Sequence, residues 1–194
     1  MRWPNFSLSI LFVLFVVPPA MATDLVYNVR MGMVNGTFQG AESGEFSVIT
    51  GVDAEAEYAG NARESLIVRS IITVEPETSV IRYMYAGLGK RYYLSSRSRD
   101  YELRTGFDKV TVLSRNKYYV GWDFGVAQLT INQLTDSLSI QSTLFEGGVT
   151  VGWTYKMSSG TGFQLNTSLS RGFGISTVAV NGTVIKFTMG LTIN

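Results

Sequence analysis

The sequence predicts an all-β chain folded as an antiparallel up-and-down β-barrel of eight strands, with ten as the alternative count. Three observations predict it. Apolar and polar residues alternate with a period of two through most of the chain, which is the pattern of strands with two unlike faces. Asn-Gly, Gly-Asn and Ser-Ser-Gly signals punctuate the alternation, and the only proline after residue 19 is Pro76, between two alternating stretches. Past residue 22 no apolar run approaches the roughly 18 residues of a membrane helix.

Residues 1–22 read differently from the rest. Arg2 precedes an apolar stretch from Leu8 to Val17, then Pro18-Pro19 and the small-residue site Ala20-Met21-Ala22. This is the layout of an export signal, and cleavage after Ala22 is expected, leaving a barrel domain over 23–194. Ten residues rising about 1.5 Å each cover only about half of a hydrocarbon core, too little for a spanning anchor.

The strands are expected at 24–35, 46–59, 64–75, 79–94, 117–130, 143–157, 162–171 and 183–193. In the first, Leu25, Tyr27, Val29, Met31 and Met33 share a face; in the second, Phe46, Val48, Val52, Ala54, Ala56 and Tyr58 do so. The third is apolar on both faces apart from Arg69, and the fourth mixes aromatic and charged residues. The last four alternate cleanly, ending with Ile185, Phe187, Met189, Leu191 and Ile193 against Lys186, Thr188, Gly190 and Thr192. Segment 95–116 is too long for a turn. It holds either an extra hairpin, with 110–113 as one strand, or the two further barrel strands of the ten-stranded count.

The polar face decides which way the barrel is turned. It is built of Gly121, Gly125, Gly148, Thr150, Gly152, Thr154, Thr188 and Gly190, small residues that suit a narrow interior better than a water-facing strand surface. The other face carries Tyr118, Trp122, Phe124, Trp153, Tyr155 and Phe187, side chains that suit lipid or an interfacial girdle. The barrel is therefore expected to span a membrane with its polar side inward. Its charges would then meet in the lumen: Asp53, Glu55, Glu57, Arg69, Asp123, Glu146, Lys156 and Lys186 are the candidate network, tolerable there only if paired.

The chain has 16 Lys+Arg and 15 Asp+Glu, with no His and no Cys. A balance this even argues against nucleic-acid binding. Without His or Cys, a Ser-His-Asp arrangement, a thiol nucleophile and the commonest transition-metal ligands are excluded, so no catalytic residue, metal site or cofactor is expected. The charge is unevenly spread. Residues 82–117 hold nine cations and three carboxylates, and Arg97, Arg99 and Arg104 there could contact lipopolysaccharide phosphates if the segment faces outward.

With its leader, eight alternating strands and closing strand IKFTMGLTIN, the chain resembles the small outer-membrane β-barrel proteins of Gram-negative bacteria, the OmpA/OmpX-like group. The resemblance covers essentially all of 23–194. It implies an outer-membrane location, both termini in the periplasm, lipid and the outer-membrane assembly machinery as partners, and a monomer. Enzymes of this group rely on a His that the chain lacks, so the implied role is non-enzymatic: structural, surface-interacting or adhesive. A narrow passive pore and a soluble exported lipocalin-like barrel binding an apolar ligand are the alternatives.

Overall fold

A computed structural model describes residues 25–39, 44–60, 63–73, 81–94, 100–105, 108–113, 115–132, 139–157, 160–174 and 180–193. The expected leader and its cleavage site lie outside the described residues. Among the described residues ten strands are present: β1 (Leu25–Gln39), β2 (Gly44–Ala59), β3 (Glu64–Thr73), β4 (Ile81–Tyr93), β5 (Asp100–Thr105), β6 (Asp108–Leu113), β7 (Asn116–Asn132), β8 (Ser139–Lys156), β9 (Thr161–Gly174) and β10 (Asn181–Ile193). Eight of them close an antiparallel barrel in the order β1-β10-β9-β8-β7-β4-β3-β2, and β5 and β6 pair only with each other. The long segment 95–116 thus carries a separate hairpin, and the ten-stranded barrel is set aside.

One hydrogen-bonded row fixes the geometry. It runs from Thr37 through Thr183, Arg171, Gly147, Phe124, Leu88, Val68 and Ala56 to Tyr27, returning to β1 ten residues below its start. Eight strands with that stagger tilt by about 40° and enclose a backbone cylinder roughly 16 Å across, narrow enough for side chains to fill.

The alternation is sorted as the face argument requires. Trp122 and Phe187 point outward at 41 % exposure each, and Phe124, Val149 and Met189 stand beside them on the outer surface. A soluble barrel around an apolar ligand would need the reverse. Inside lie Asn28, Arg30, Asp53, Glu55, Thr150, Gln164, Ser168 and Thr188, all buried. The third strand is apolar on both faces: Ile67 and Ile71 are buried inward, beside Glu57 and Asp53 of β2, while Leu66 faces out.

The two rims differ. The rim that carries the chain ends has short turns, with Gly60 N–H donating to the Glu64 carbonyl (3.0 Å) and Met157 N–H to that of Thr161 (3.0 Å). The β4–β7 connection with its β5–β6 hairpin also leaves from this terminal rim. At the far rim the strands outrun the sequence expectation: β7 has 17 residues and β8 18, against the roughly 9–11 that a spanning strand requires. There the outward positions become polar (Asn35, Thr37, Gln128, Thr130, Gln141), so period-two alternation fades although pairing continues. A register shift between Val34 and Gly36 marks a bulge in the β1–β2 pair near this end.

Candidate functional site

The site is the lumen, and it has three storeys. Nearest the terminal rim, Arg91 sends Nη2 to both Glu55 oxygens (2.7 and 2.9 Å) and Nη1 to Glu57 Oε2 (2.5 Å). Tyr93 OH donates to the other Glu57 oxygen (2.6 Å), and Arg91 stacks over the Tyr119 ring at 4.0 Å. Arg30 joins this storey to the next: Nη2 lies 3.0 Å from both Glu55 Oε2 and Asp53 Oδ2, while Nη1 donates to Gln164 (2.7 Å). In the middle storey Arg69 grips Asp53 through two parallel bonds (Nε–Oδ1 3.0 Å, Nη2–Oδ2 2.8 Å) and reaches Asp123 with Nη1 (3.1 Å). Tyr85 OH completes Asp123 at 3.0 Å and Thr188 donates to Asp53 at 3.0 Å.

Higher still, Lys186 is paired with Glu146, which also accepts from Tyr83 OH (2.6 Å) and Ser170 Oγ (2.6 Å). The Lys186 ammonium sits 4.2 Å from the Tyr85 ring centre. Around and above this pair the lumen turns apolar: Val34, Phe38, Ile71, Ala127, Leu129, Leu144, Val180 and Val184 form one buried cluster with the rings of Tyr83 and Tyr85. Among the described residues four buried cations and five buried carboxylates are therefore held together, with three tyrosine hydroxyls donating to the carboxylates. Burial of that kind is tolerable because each carboxylate has a cation or a hydroxyl facing it.

The structure brings seven of the eight sequence candidates into this network. Lys156 stands apart at the terminal rim, half-buried, ten residues along β8 from Glu146, which takes Lys186 instead. Arg30, Arg91 and the lumen tyrosines were not among the candidates. Arg30 had a signal, since it lies on the face opposite Val29 and Met31. Arg91 and Tyr93 were obscured because Lys90-Arg91 and Tyr92-Tyr93 are adjacent pairs, and alternation sends one member of each pair outward and the other in.

Glycines make room for the rings. A Cβ on Gly152 would lie 2.1 Å from Tyr119 Cζ, and one on Gly182 would lie 2.3 Å from Phe38 Cδ1, so each aromatic occupies space that its cross-strand glycine leaves open. Along one wall several polar atoms lack partners. Thr150 Oγ1, Ser168 Oγ, both amide atoms of Asn166 and Arg30 Nε are buried and make no hydrogen bond among the described residues. Thr150→Val keeps the shape and removes one such hydroxyl, so it is expected to leave stability unchanged or raise it by about 1 kcal/mol, as read from the urea midpoint of the refolded barrel.

The outer surface forms a band. Hydrogen-bonded rows descend by about 3 Å per strand at this tilt. With that correction Tyr27, Tyr58, Tyr92, Tyr118, Trp153 and Phe163 fall within about 4 Å of one level near the terminal rim, on six different strands. Tyr155 lies just below them, its ring 6.1 Å from that of Trp153. Trp122 and Phe124, stacked with centroids 5.7 Å apart, sit higher in the apolar band, which continues for about 20 Å before the surface turns polar. Its height and aromatic border match the roughly 25 Å band of membrane barrels.

No family model matches the chain, and no curated protein matches it in sequence. Solved structures do match it. Neisserial surface protein A superposes with a TM-score of 0.55 at 14% identity, covering 86% of this chain and 96% of that one. Ail, the attachment invasion locus protein of Yersinia pestis, gives 0.51 at 14% identity over 88% of this chain and all (100%) of that one. The outer membrane protease OmpT of Escherichia coli gives 0.54 at 7% identity over 89% and 97%. At these identities the likeness is one of fold. The chain has the closed antiparallel β-barrel fold of outer-membrane proteins, built with eight strands around a lumen of paired charges.

Proposed function

We propose that this chain is an integral outer-membrane protein of a Gram-negative cell with a non-catalytic role: a closed barrel that holds its far-rim connections at the cell surface for structural or adhesive contact. The observation that carries this reading is the pairing of an apolar, aromatic-bordered exterior with a filled lumen. The charged storeys fill the lumen from the terminal rim upward, and the apolar cluster around Leu129 and Leu144 surrounds the uppermost of them and closes the far side. The strands extend beyond the apolar band on the far side, which supports that side as the surface-exposed one. The likeness in fold to Ail, the attachment invasion locus protein of Yersinia pestis, agrees with an adhesive role, and the absence of His and Cys disfavours chemistry that depends on an imidazole base or a thiol nucleophile.

Two measurements test it. Cell fractionation should recover the protein with detergent-extracted outer membrane, and recovery in the aqueous periplasm would overturn the location. In planar bilayers the barrel should carry no steady ion current. A stable conductance would favour the narrow-pore reading.

A further inference from the structure

One stretch of the lumen wall, on β7, β8 and β9, is polar without joining the ion pairs. Asn166 on β9 stands across from Gly152 on β8, and Gly152 across from Tyr119 on β7. Tyr119 leans over that glycine: a Cβ there would lie 2.2 Å from the Tyr119 hydroxyl, which sets the hydroxyl beside Asn166. Two residues along, Ser168 faces Thr150 across the same pair of strands. Arg30 arrives from β1 over Gly190 of β10, and its Nη1 donates to Gln164 (2.7 Å), the neighbour of Asn166 on the same face of β9.

Tyr119 OH, Thr150 Oγ1, Ser168 Oγ, Arg30 Nε and both amide atoms of Asn166 are buried and make no hydrogen bond among the described residues. Each of the five residues is at most 3 % exposed. Of the seven described side-chain atoms in that condition six gather here, the other being Ser65 Oγ, so the lack is local and not scattered. The polar side chains across β10 from Asn166 and Ser168 are already engaged: Thr188 donates to Asp53 (3.0 Å) and Lys186 is paired with Glu146.

Buried polar groups left alone cost stability, and six in one place call for a shared partner. The donor and acceptor set names its chemistry. Arg30 Nε only donates, Asn166 Oδ1 only accepts, and the hydroxyls do both. A cation would leave the donors unanswered and would meet the Arg30 guanidinium. An anion would leave Asn166 Oδ1 unanswered and would meet Asp53 and Glu55, each 3.0 Å from Arg30 Nη2. A small neutral molecule that both donates and accepts answers every member. We propose that this wall is a binding site for a cluster of ordered water molecules, anchored on Asn166 and built into the fold. The apolar cluster around Leu129 and Leu144 closes the lumen beyond it, so the waters form a local cluster and not a column through the barrel. Thr150 is one contributor among five, and its loss leaves the cluster anchored, in keeping with the small effect expected of Thr150→Val. The site does not depend on what surrounds the barrel.

A crystal structure of the full barrel at a resolution that shows ordered solvent tests it. Water peaks are expected within about 3.2 Å of the Asn166 amide and of at least one of Ser168, Tyr119 and Arg30, each peak with two or more protein partners. Asn166→Leu, close in size and without the amide, should lose those peaks while the strands keep their register. A wall with no peak against it, or an Asn166 amide bonded directly to neighbouring side chains, would overturn the proposal. So would a peak whose anomalous signal or coordination marks it as an ion. The unvaried protein decides these outcomes alone, so poor folding of Asn166→Leu would not shield the proposal.

Discussion

Arg69→Met is expected to destabilise the barrel by about 3–5 kcal/mol, the cost of leaving buried carboxylates without their cation. Arg69 is the sole guanidinium facing Asp123 among the described residues and holds Asp53 through two bonds. Its loss leaves Asp123 with one tyrosine hydroxyl and Asp53 with Arg30 and Thr188. Urea unfolding of the barrel refolded in vesicles measures the effect. Neutralising the stranded partners should restore much of it: Arg69→Met combined with Asp53→Asn and Asp123→Asn is expected to be more stable than Arg69→Met alone, because the penalty comes from uncompensated charge and not from lost volume. A single variant as stable as the parent would mean that the lumen is wet enough to solvate the two carboxylates.

Val149→Arg is expected to cost about 2–4 kcal/mol, and Gln141→Arg on the same strand close to nothing. Both side chains point outward from β8. Val149, 61 % exposed, lies near the middle of the apolar band, whereas Gln141 lies eight residues further towards the far rim, where the surface is polar. A protein standing in water would treat the two substitutions alike, since an exposed arginine on a strand is inexpensive in water. The same urea series therefore measures the depth of each position. Equal effects at the two sites would contradict the membrane placement of the band.

Most of the barrel could be read from alternation because lipid on one side and a packed polar lumen on the other impose opposite chemistry on successive residues. Legibility failed where that contrast fails. On β3 the inward Ile67 and Ile71 are as apolar as the outward Leu66, so the strand showed no clear face. On β7 and β8 the far ends rise above the lipid and lose their apolar side, so their extent to Asn132 and from Ser139 was underestimated. The lumen was legible as a set of charges but not as a set of partners. Glu146 and Lys156 share a face of one strand, yet ion pairing in a tilted barrel joins neighbours across strands, and Glu146 finds Lys186 on β10. The hairpin of β5 and β6 was legible only as an excess of chain, since nothing in residues 95–116 says whether an extra pair of strands joins the barrel or stands beside it.

The β1–β10 seam, where the first and last strands meet, is laced by side chains as well as backbone. Thr192 donates to Asn28 and Thr188 to Asp53, while Arg30 reaches across β10 to Gln164 on β9. Before that seam closes, the chain is a sheet with ionised groups on one face, and four cations and five carboxylates turned towards hydrocarbon would oppose its entry. The finished ring is the form in which lipid accepts this sequence at least cost, because closing the seam and pairing these side chains across it are one and the same event.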